Sequence, residues 1–261
     1  MAAESTVPPG APRFDASDLE GARFEDANLT QARFKDCKLD GARFEGGSLS
    51  RLRLKNTTLI GLDADDIDIK ASRLANVDLS SLSLSDANLS HAEVRDIDAT
   101  HLRLTDAKLA DAIIEDLDGR RLGLDDANLS DARLSNVDLS RATLSDAKLA
   151  SATLKNCDCS EATLADVSFA RAIFEDVDAS GATLTDANLT GCRLMDVDLS
   201  GCTIDNANLS GAKLANVNLS KVSIRSAEVT GLEINGFKID ELIDAARAGQ
   251  VHVLEQRALD R

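Results

Sequence analysis

The sequence predicts a repeat solenoid folded as one elongated domain, and three observations predict it. An apolar or small residue recurs at every fifth position from Phe14 to Ile239 without one insertion. A second small slot, usually Ala, lies two residues before each of these centres, as at Ala22, Ala27, Ala32 and Ala87. A period of twenty is superimposed on the five. The slots Val77, Ile97, Leu117, Val137, Cys157, Val177, Val197 and Val217 all exceed Ala in size, while their counterparts ten residues on are mostly Ala. A period of five is neither the two of a strand nor the 3.6 of a helix, and fixed short periods mark stacked repeat architectures. Two inward positions in every five give such a stack a continuous core.

Residues 1–12 carry Pro8, Pro9, Gly10 and Pro12 ahead of the regular pattern and read as a flexible leader. Residues 13–239 form the repeat. The centres that are not Leu, Ile, Val or Phe are Ala64, Ala99, Gly119, Cys159 and Ala179, all small and none charged. Four of them fall on the face whose slots are bulky, as a constant interior volume requires. Phe14, Phe24, Phe34 and Phe44, ten residues apart, should come from opposite faces and meet inside the rod as an N-terminal plug. A stacked solenoid has two open ends that need covering. At the other end, Asp240 to Gly249 reads as a short helix with Asp240 at its N-cap and Leu242, Ile243 and Ala246 on its apolar side. Together with Ile234, Asn235, Gly236 and Phe237 it should cover the last coil, with a second helix over 251–261, so that 240–261 form a C-terminal cap.

The written pattern A-(D/N)-L-x-x, plainest in Ala127-Asn128-Leu129, Ala187-Asn188-Leu189 and Ala207-Asn208-Leu209, resembles the pentapeptide-repeat family. The resemblance covers Phe14 to Ile239. It implies an all-β fold, a right-handed quadrilateral parallel β-helix in which each pentad is one side of a square and four make a coil. At strand spacing of about 4.8 Å, the repeat gives about 11 coils and a rod on the order of 50 Å long. In the quinolone-resistance members the C-terminal end also makes a dimer. Here capping alone is the leading expectation, with a dimer contact through Phe237, Leu242 and Ile243 as the alternative.

Composition narrows the function. With 45 acidic and 29 basic residues the chain carries a net charge of -16, which repels nucleic acid and anionic membranes and favours a basic partner or simple solubility. The N-terminus lacks the features of a signal peptide and no apolar run reaches membrane length, so a cytoplasmic protein is expected. Five Cys, an odd number, argue against a secreted disulfide framework. Cys37, Cys157, Cys192 and Cys202 occupy the inward slot normally held by Ala, and Cys159 a centre, so they read as small apolar filler, not as ligands. His91 and His101 fall on opposite sides of the square, no His stands beside a plausible nucleophile, and no phosphate loop is present. No catalytic, cofactor or metal site is expected.

The outer surface carries the remaining signal. Immediately before the centres of one face come Asp78, Asp98, Asp118, Asp138, Asp158, Asp178 and Asp198, seven successive coils. Asp96, Asp116, Asp176 and Asp196 lie at the corner beside them. The opposite side offers Asp66, Asp86, Asp106, Asp126, Asp146, Asp166 and Asp186. The other two sides carry Arg13, Arg33, Arg53 and Arg73, and Thr143, Thr163, Thr183 and Thr203. A short polar side chain before the centre can bond nearby backbone, but Asn would do so without repulsion between neighbouring carboxylates. Two readings follow. The rod is an interaction module whose carboxylates mimic DNA toward a basic groove, which the resemblance extends to DNA gyrase and topoisomerase IV. Alternatively it is a rigid scaffold whose acidic faces serve solubility. The chain lacks the projecting loops of the plasmid-borne quinolone-resistance members.

Overall fold

The computed structural model describes residues 11–45, 48–65 and 68–248. The fold is a right-handed quadrilateral parallel β-helix of about 11 coils with one short C-terminal helix. Among the described residues, one sheet stacks the strands that begin at Arg13, Arg33, Arg53 and every twenty residues after. A second sheet stacks those that begin at Arg23 and Arg43. Pairing is parallel and in strict twenty-residue register, Phe14 opposite Phe34, Leu134 opposite Leu154, and Leu144 opposite Leu164. Isolated bridges such as Asn88 to Lys108 supply the two remaining sides.

The corners explain why the repeat is five residues long. Every fifth residue adopts a positive φ, as at Asp86 (52°), His91 (58°), Asp96 (53°) and His101 (60°). Asp, Asn and Gly tolerate this conformation at the lowest cost, and they dominate these positions. Alternate corners are closed by a turn hydrogen bond, the Ala92 amide to the Leu89 carbonyl at 3.0 Å, with the positive φ at the third turn residue as a type II turn requires. On one side of the rod the strand runs on through the other corner in eight successive coils, from Arg53–Thr58 to Arg193–Asp198, where the inward slot is larger than Ala.

Centres and slots form one continuous core from Leu29 to Leu232. The N-terminal aromatic plug is present. Phe14 stacks on Phe34 at 4.5 Å and Phe24 on Phe44 at 4.6 Å, and the two stacks meet edge to face at 6.3 Å. Ladder-like stacking within a face and T-shaped contact across the rod are both favoured ring geometries.

The C-terminal end differs from the sequence expectation in detail. Glu233–Ile234 is the last parallel strand, after which Asn235 (φ 48°) and Gly236 (φ 81°) reverse the chain so that Phe237–Lys238 pairs antiparallel with it. Two successive positive φ angles at Asn-Gly are the signature of a tight hairpin. Ile239, the final position of the five-residue count, therefore opens a helix, Ile239–Arg247, instead of a coil side. Its N-cap is Lys238, without a side-chain cap, and not Asp240. The Asp240 carboxylate instead accepts the Gly231 amide at 2.7 Å and the Glu241 amide at 2.9 Å, tying the first helical turn to the last coil. Ala245 rather than Ala246 shares the half-buried side with Leu242 and Ile243. The leader residues 1–10, Asp66, the helix-ending Gly249 and the second helix over 251–261 lie outside the described residues.

Candidate interaction face

The seven aspartates form one ladder. Asp78, Asp98 and Asp118 are direct strand partners, as are Asp118 with Asp138, Asp138 with Asp158, Asp158 with Asp178 and Asp178 with Asp198. Each sits two residues past a corner, and each uses one carboxylate oxygen in the same way. Oδ1 accepts the backbone N–H two residues on, from Ser80 (2.9 Å), Thr100 (3.0 Å), Arg120 (3.4 Å), Ser140 (2.9 Å), Ser160 (2.8 Å), Ser180 (2.8 Å) and Ser200 (2.7 Å). This side-chain turn holds the chain as it approaches the next corner.

Asn makes the identical bond elsewhere in the molecule. Asn128 accepts the Ser130 amide at 3.0 Å, Asn188 the Thr190 amide at 3.0 Å, and Asn218, the next rung of the ladder, the Ser220 amide at 3.0 Å. The turn therefore needs an acceptor oxygen but not a charge. All seven aspartates are half-buried or exposed.

Electrostatics within the ladder are not uniform. Arg120 forms a bidentate pair with Asp118, Nε to Oδ1 at 2.8 Å and Nη2 to Oδ2 at 2.7 Å, and its Nε lies 3.9 Å from Asp138. The Arg120 guanidinium holds the Asp118 carboxyl below its usual range. The hydroxyl and amide of Ser200 do the same for Asp198, helped by the Asn218 amide group at 3.1 Å. At the adjoining corner, Asp96, Asp116, Asp176 and Asp196 have φ between 53° and 56°. Asn136 donates to Asp116 at 2.9 Å and Asn156 to Asn136 at 2.7 Å, so the corner column is a side-chain ladder of its own. On the opposite side Asp86, Asp106, Asp126, Asp146, Asp166 and Asp186 occupy six successive corners.

The other sides are also in register, with Arg13, Arg33, Arg53 and Arg73 on one and Thr143, Thr163, Thr183 and Thr203 on the other. Cross-coil ion pairs join residues twenty apart. Arg73 meets Glu93 at 2.9 Å, Arg95 meets Glu115 at 3.0 Å, Arg141 meets Glu161 at 2.9 Å and Lys155 meets Glu175 at 2.7 Å. These pairs and Arg120 escaped the sequence reading, although opposite charges twenty residues apart would have revealed the pairs. Arg120 is visible as the one cation in a column that from residue 80 to residue 220 is otherwise Ser80, Thr100, Ser140, Ser160, Ser180, Ser200 and Ser220.

The cysteines pack as filler. The Cys37, Cys192 and Cys202 thiols lie 3.2, 2.8 and 2.8 Å from the carbonyls of Phe14, Phe169 and Ala179 in the preceding coil. Burial pushes the Cys192 thiol up to about 12 and raises Cys157, Cys159 and Cys202 as well. His91 lies 3.7 Å from Asp111, and His101 lies 3.3 Å from Arg121, on different corners. Among the described residues no group of three or more His, Cys, Asp or Glu could hold a metal ion, and no helix is long and apolar enough to cross a membrane.

A family model described as pentapeptide repeats matches the chain in eight copies over residues 13–46, 124–158, 157–194 and 192–231, more than half its length. The chain belongs to the pentapeptide-repeat family. Among solved structures, this pentapeptide-repeat protein is similar to HetL, a protein of the same family involved in heterocyst differentiation regulation from the cyanobacterium Nostoc sp. strain PCC 7120. The identity is 24%, over 87% of this chain and 92% of that one, with a TM-score of 0.31. It is also similar to full-length QnrB1, a plasmid-mediated fluoroquinolone resistance protein, at 12% identity over 90% of this chain and 97% of that one, with a TM-score of 0.29. The A-module of the mannuronan C-5 epimerase AlgE4 of Azotobacter vinelandii matches at 10% identity over 85% and 87%, with a TM-score of 0.31. Among curated proteins none matches the chain.

Proposed function

We propose that this pentapeptide-repeat protein is a non-enzymatic, cytoplasmic docking module whose aspartate ladder engages a basic protein groove built for DNA, that of a type II topoisomerase such as DNA gyrase or topoisomerase IV. One observation carries the reading. The turn that each ladder aspartate serves is served equally by Asn128, Asn188 and Asn218, yet seven successive coils place a carboxylate there. Neighbouring carboxylates on adjacent strands repel by a little under ~1 kcal/mol per pair in water, a cost that Asn would avoid. A row of negative charge on a rigid rod is complementary to a groove lined by Lys and Arg, and such complementarity sets encounter rate and specificity.

Purified protein should alter gyrase supercoiling or the fluoroquinolone-stabilised cleavage of DNA by gyrase, with loss of the effect when the ladder is changed to Asn. Absence of any effect at micromolar protein with several bacterial gyrases and topoisomerase IV would leave the solubility reading in its place. Pairing of two copies through the C-terminal cap, 240–261 with Phe237, belongs to the same proposal, because Phe237 is 50% exposed there.

A further inference from the structure

The rod is acidic overall, yet one side of its N-terminal third is basic. On the strands that begin at Arg13, Arg33, Arg53 and Arg73, the first and third residues flank an inward centre and face outward. They are Arg13, Arg33, Lys35, Arg53, Lys55 and Arg73, with Ala75 and a single carboxylate, Asp15. The strands pair in register, Arg13 with Arg33, Arg33 with Arg53 and Lys35 with Lys55, so like charges stand directly opposite one another. That arrangement is destabilising in itself and is relieved by an anion lying over it. Nearby carboxylates compensate part of the charge. Asp15 lies 4.0 Å from Arg33, Asp36 at the corner 3.2 Å from Lys35, and Glu93 of the next coil 2.9 Å from Arg73. Further along, the same side carries carboxylates of its own, and Arg95 meets Glu115, Lys155 meets Glu175 and Lys213 meets Glu233 across adjacent coils.

We propose that this basic patch docks the aspartate ladder of a second copy, so that rods associate side by side, displaced along their axes. The match holds in two directions. The cations repeat once per coil, about 4.8 Å, in two rows two residues apart, Arg33 beside Lys35 and Arg53 beside Lys55. The carboxylates repeat at the same spacing, also in two rows two residues apart, Asp96 beside Asp98 and Asp176 beside Asp178. The ladder is interrupted where the patch lies, because its column there reads Asp18, Lys38 and Thr58. Patch and ladder of one rod therefore occupy adjoining sides at different lengths, and they meet only between copies. A nucleic-acid duplex fits less well, since its charge continues past the patch and is repelled by the rest of a chain of net charge -16. A second rod is as acidic, but its other column, Asp86 to Asp186, lies on the side away from the contact, where salt screens charge beyond about 8–10 Å. The contact is heterologous, so each rod of a pair keeps one unused patch and one unused ladder, and association grows with concentration instead of closing at a dimer. Exposed ion pairs contribute little singly, so it forms at protein concentrations on the order of hundreds of micromolar. It is independent of the topoisomerase reading.

The test is sedimentation of F237S/L242S, in which apolar pairing of the C-terminal ends is removed, at about 500 micromolar protein in about 50 mM salt. Its average mass should rise with concentration and fall to that of a monomer in about 0.5 M salt. In the same background, R33E/K35E/K55E and the variant with all seven ladder aspartates changed to Asn should each stay monomeric alone. Mixed in equal amounts they should form a one-to-one complex, because the first keeps its ladder and the second its patch. Should R33E/K35E/K55E fail to fold, R33Q/K35Q/K55Q takes its place with the same expectation. F237S/L242S that stays monomeric, association that survives either set of changes, or a mixture that stays monomeric would overturn the proposal. Binding of a labelled DNA duplex by protein that does not self-associate, abolished in R33E/K35E/K55E, would overturn it in favour of nucleic acid as the occupant of the patch.

Discussion

A Cβ placed on Gly119 would lie 2.6 Å from Cδ2 of Leu117, and 3.0 Å from the carbonyl oxygen of Asp138 in the next coil. Leu117 fills an inward slot that holds Val or Ile in neighbouring coils, and Gly119 is the centre that gives way to it. The interior of the rod has room for one large side chain of this pair, not for two.

Gly119→Ala should therefore destabilise the rod by roughly 1–3 kcal/mol through overpacking against Leu117 and a backbone carbonyl that cannot move aside. Leu117→Val in the same chain should recover a large part of the loss, because it removes the atom that the new methyl group meets. Thermal melts of the two single variants and the double variant measure the coupling. Additive effects would mean that the carbonyl of Asp138, and not Leu117, sets the limit.

D118N/D138N/D158N/D178N should leave the melting temperature equal or raised. Asn supplies the acceptor that each turn uses, as Asn128 and Asn218 already do, and the substitutions remove repulsion between adjacent rungs. The lost Arg120 to Asp118 pair is exposed and worth at most about 1 kcal/mol. Any binding to a basic partner should weaken in the same variant. Unfolding of this variant at 25 °C would show that the carboxylates are structural.

The difference between those two effects marks what the sequence can express. Register, corners and core follow from spacing alone, since a five-residue count places Leu134 over Leu154 and Asp138 over Asp158 before any coordinates are known. The volume exchange between Leu117 and Gly119 is legible for the same reason. What spacing does not encode is the direction of a long side chain, which is why the reach of Arg120 to two rungs of the ladder had to come from the structure. The end of the repeat was misleading for another reason. Ile239 satisfies the apolar period, but the φ angles of Asn235 and Gly236, four and three residues before it, have already turned the chain, and backbone geometry overrides periodicity.

Asp198 should contribute to the acid sensitivity of the rod. The hydroxyl and amide of Ser200, with Asn218, hold its carboxyl below the ordinary range. A carboxyl depressed in the folded state stabilises that state above its unfolded value, and the contribution is lost as pH falls through the folded value. Melting temperature followed from pH 7 downward should fall below the ordinary carboxylate range of about 4, and D198N should show a shallower fall. Parallel curves for the parent and D198N would exclude this residue as a contributor.

The two ends of the rod are closed unequally, and this predicts an assembly. At the N-terminal end aromatic stacking fills the core, whereas at the C-terminal end Ile224 is 42% exposed and Phe237 50% exposed, and Leu242 and Ile243 of the helix are half-buried. Large apolar side chains grouped at the end of a solenoid are a surface that a second copy covers favourably, about 25 cal/mol for each Å² of apolar area removed from water. Light scattering after size exclusion should give a dimer at tens of micromolar protein, roughly the range expected for a small interface. Phe237→Ser and Leu242→Ser should shift it to monomer with only a small change in melting temperature, because neither side chain is fully buried within one copy. A parent protein that stays monomeric at that concentration would mean that each rod covers its own end, and the helix Ile239–Arg247 would then act as a cap alone.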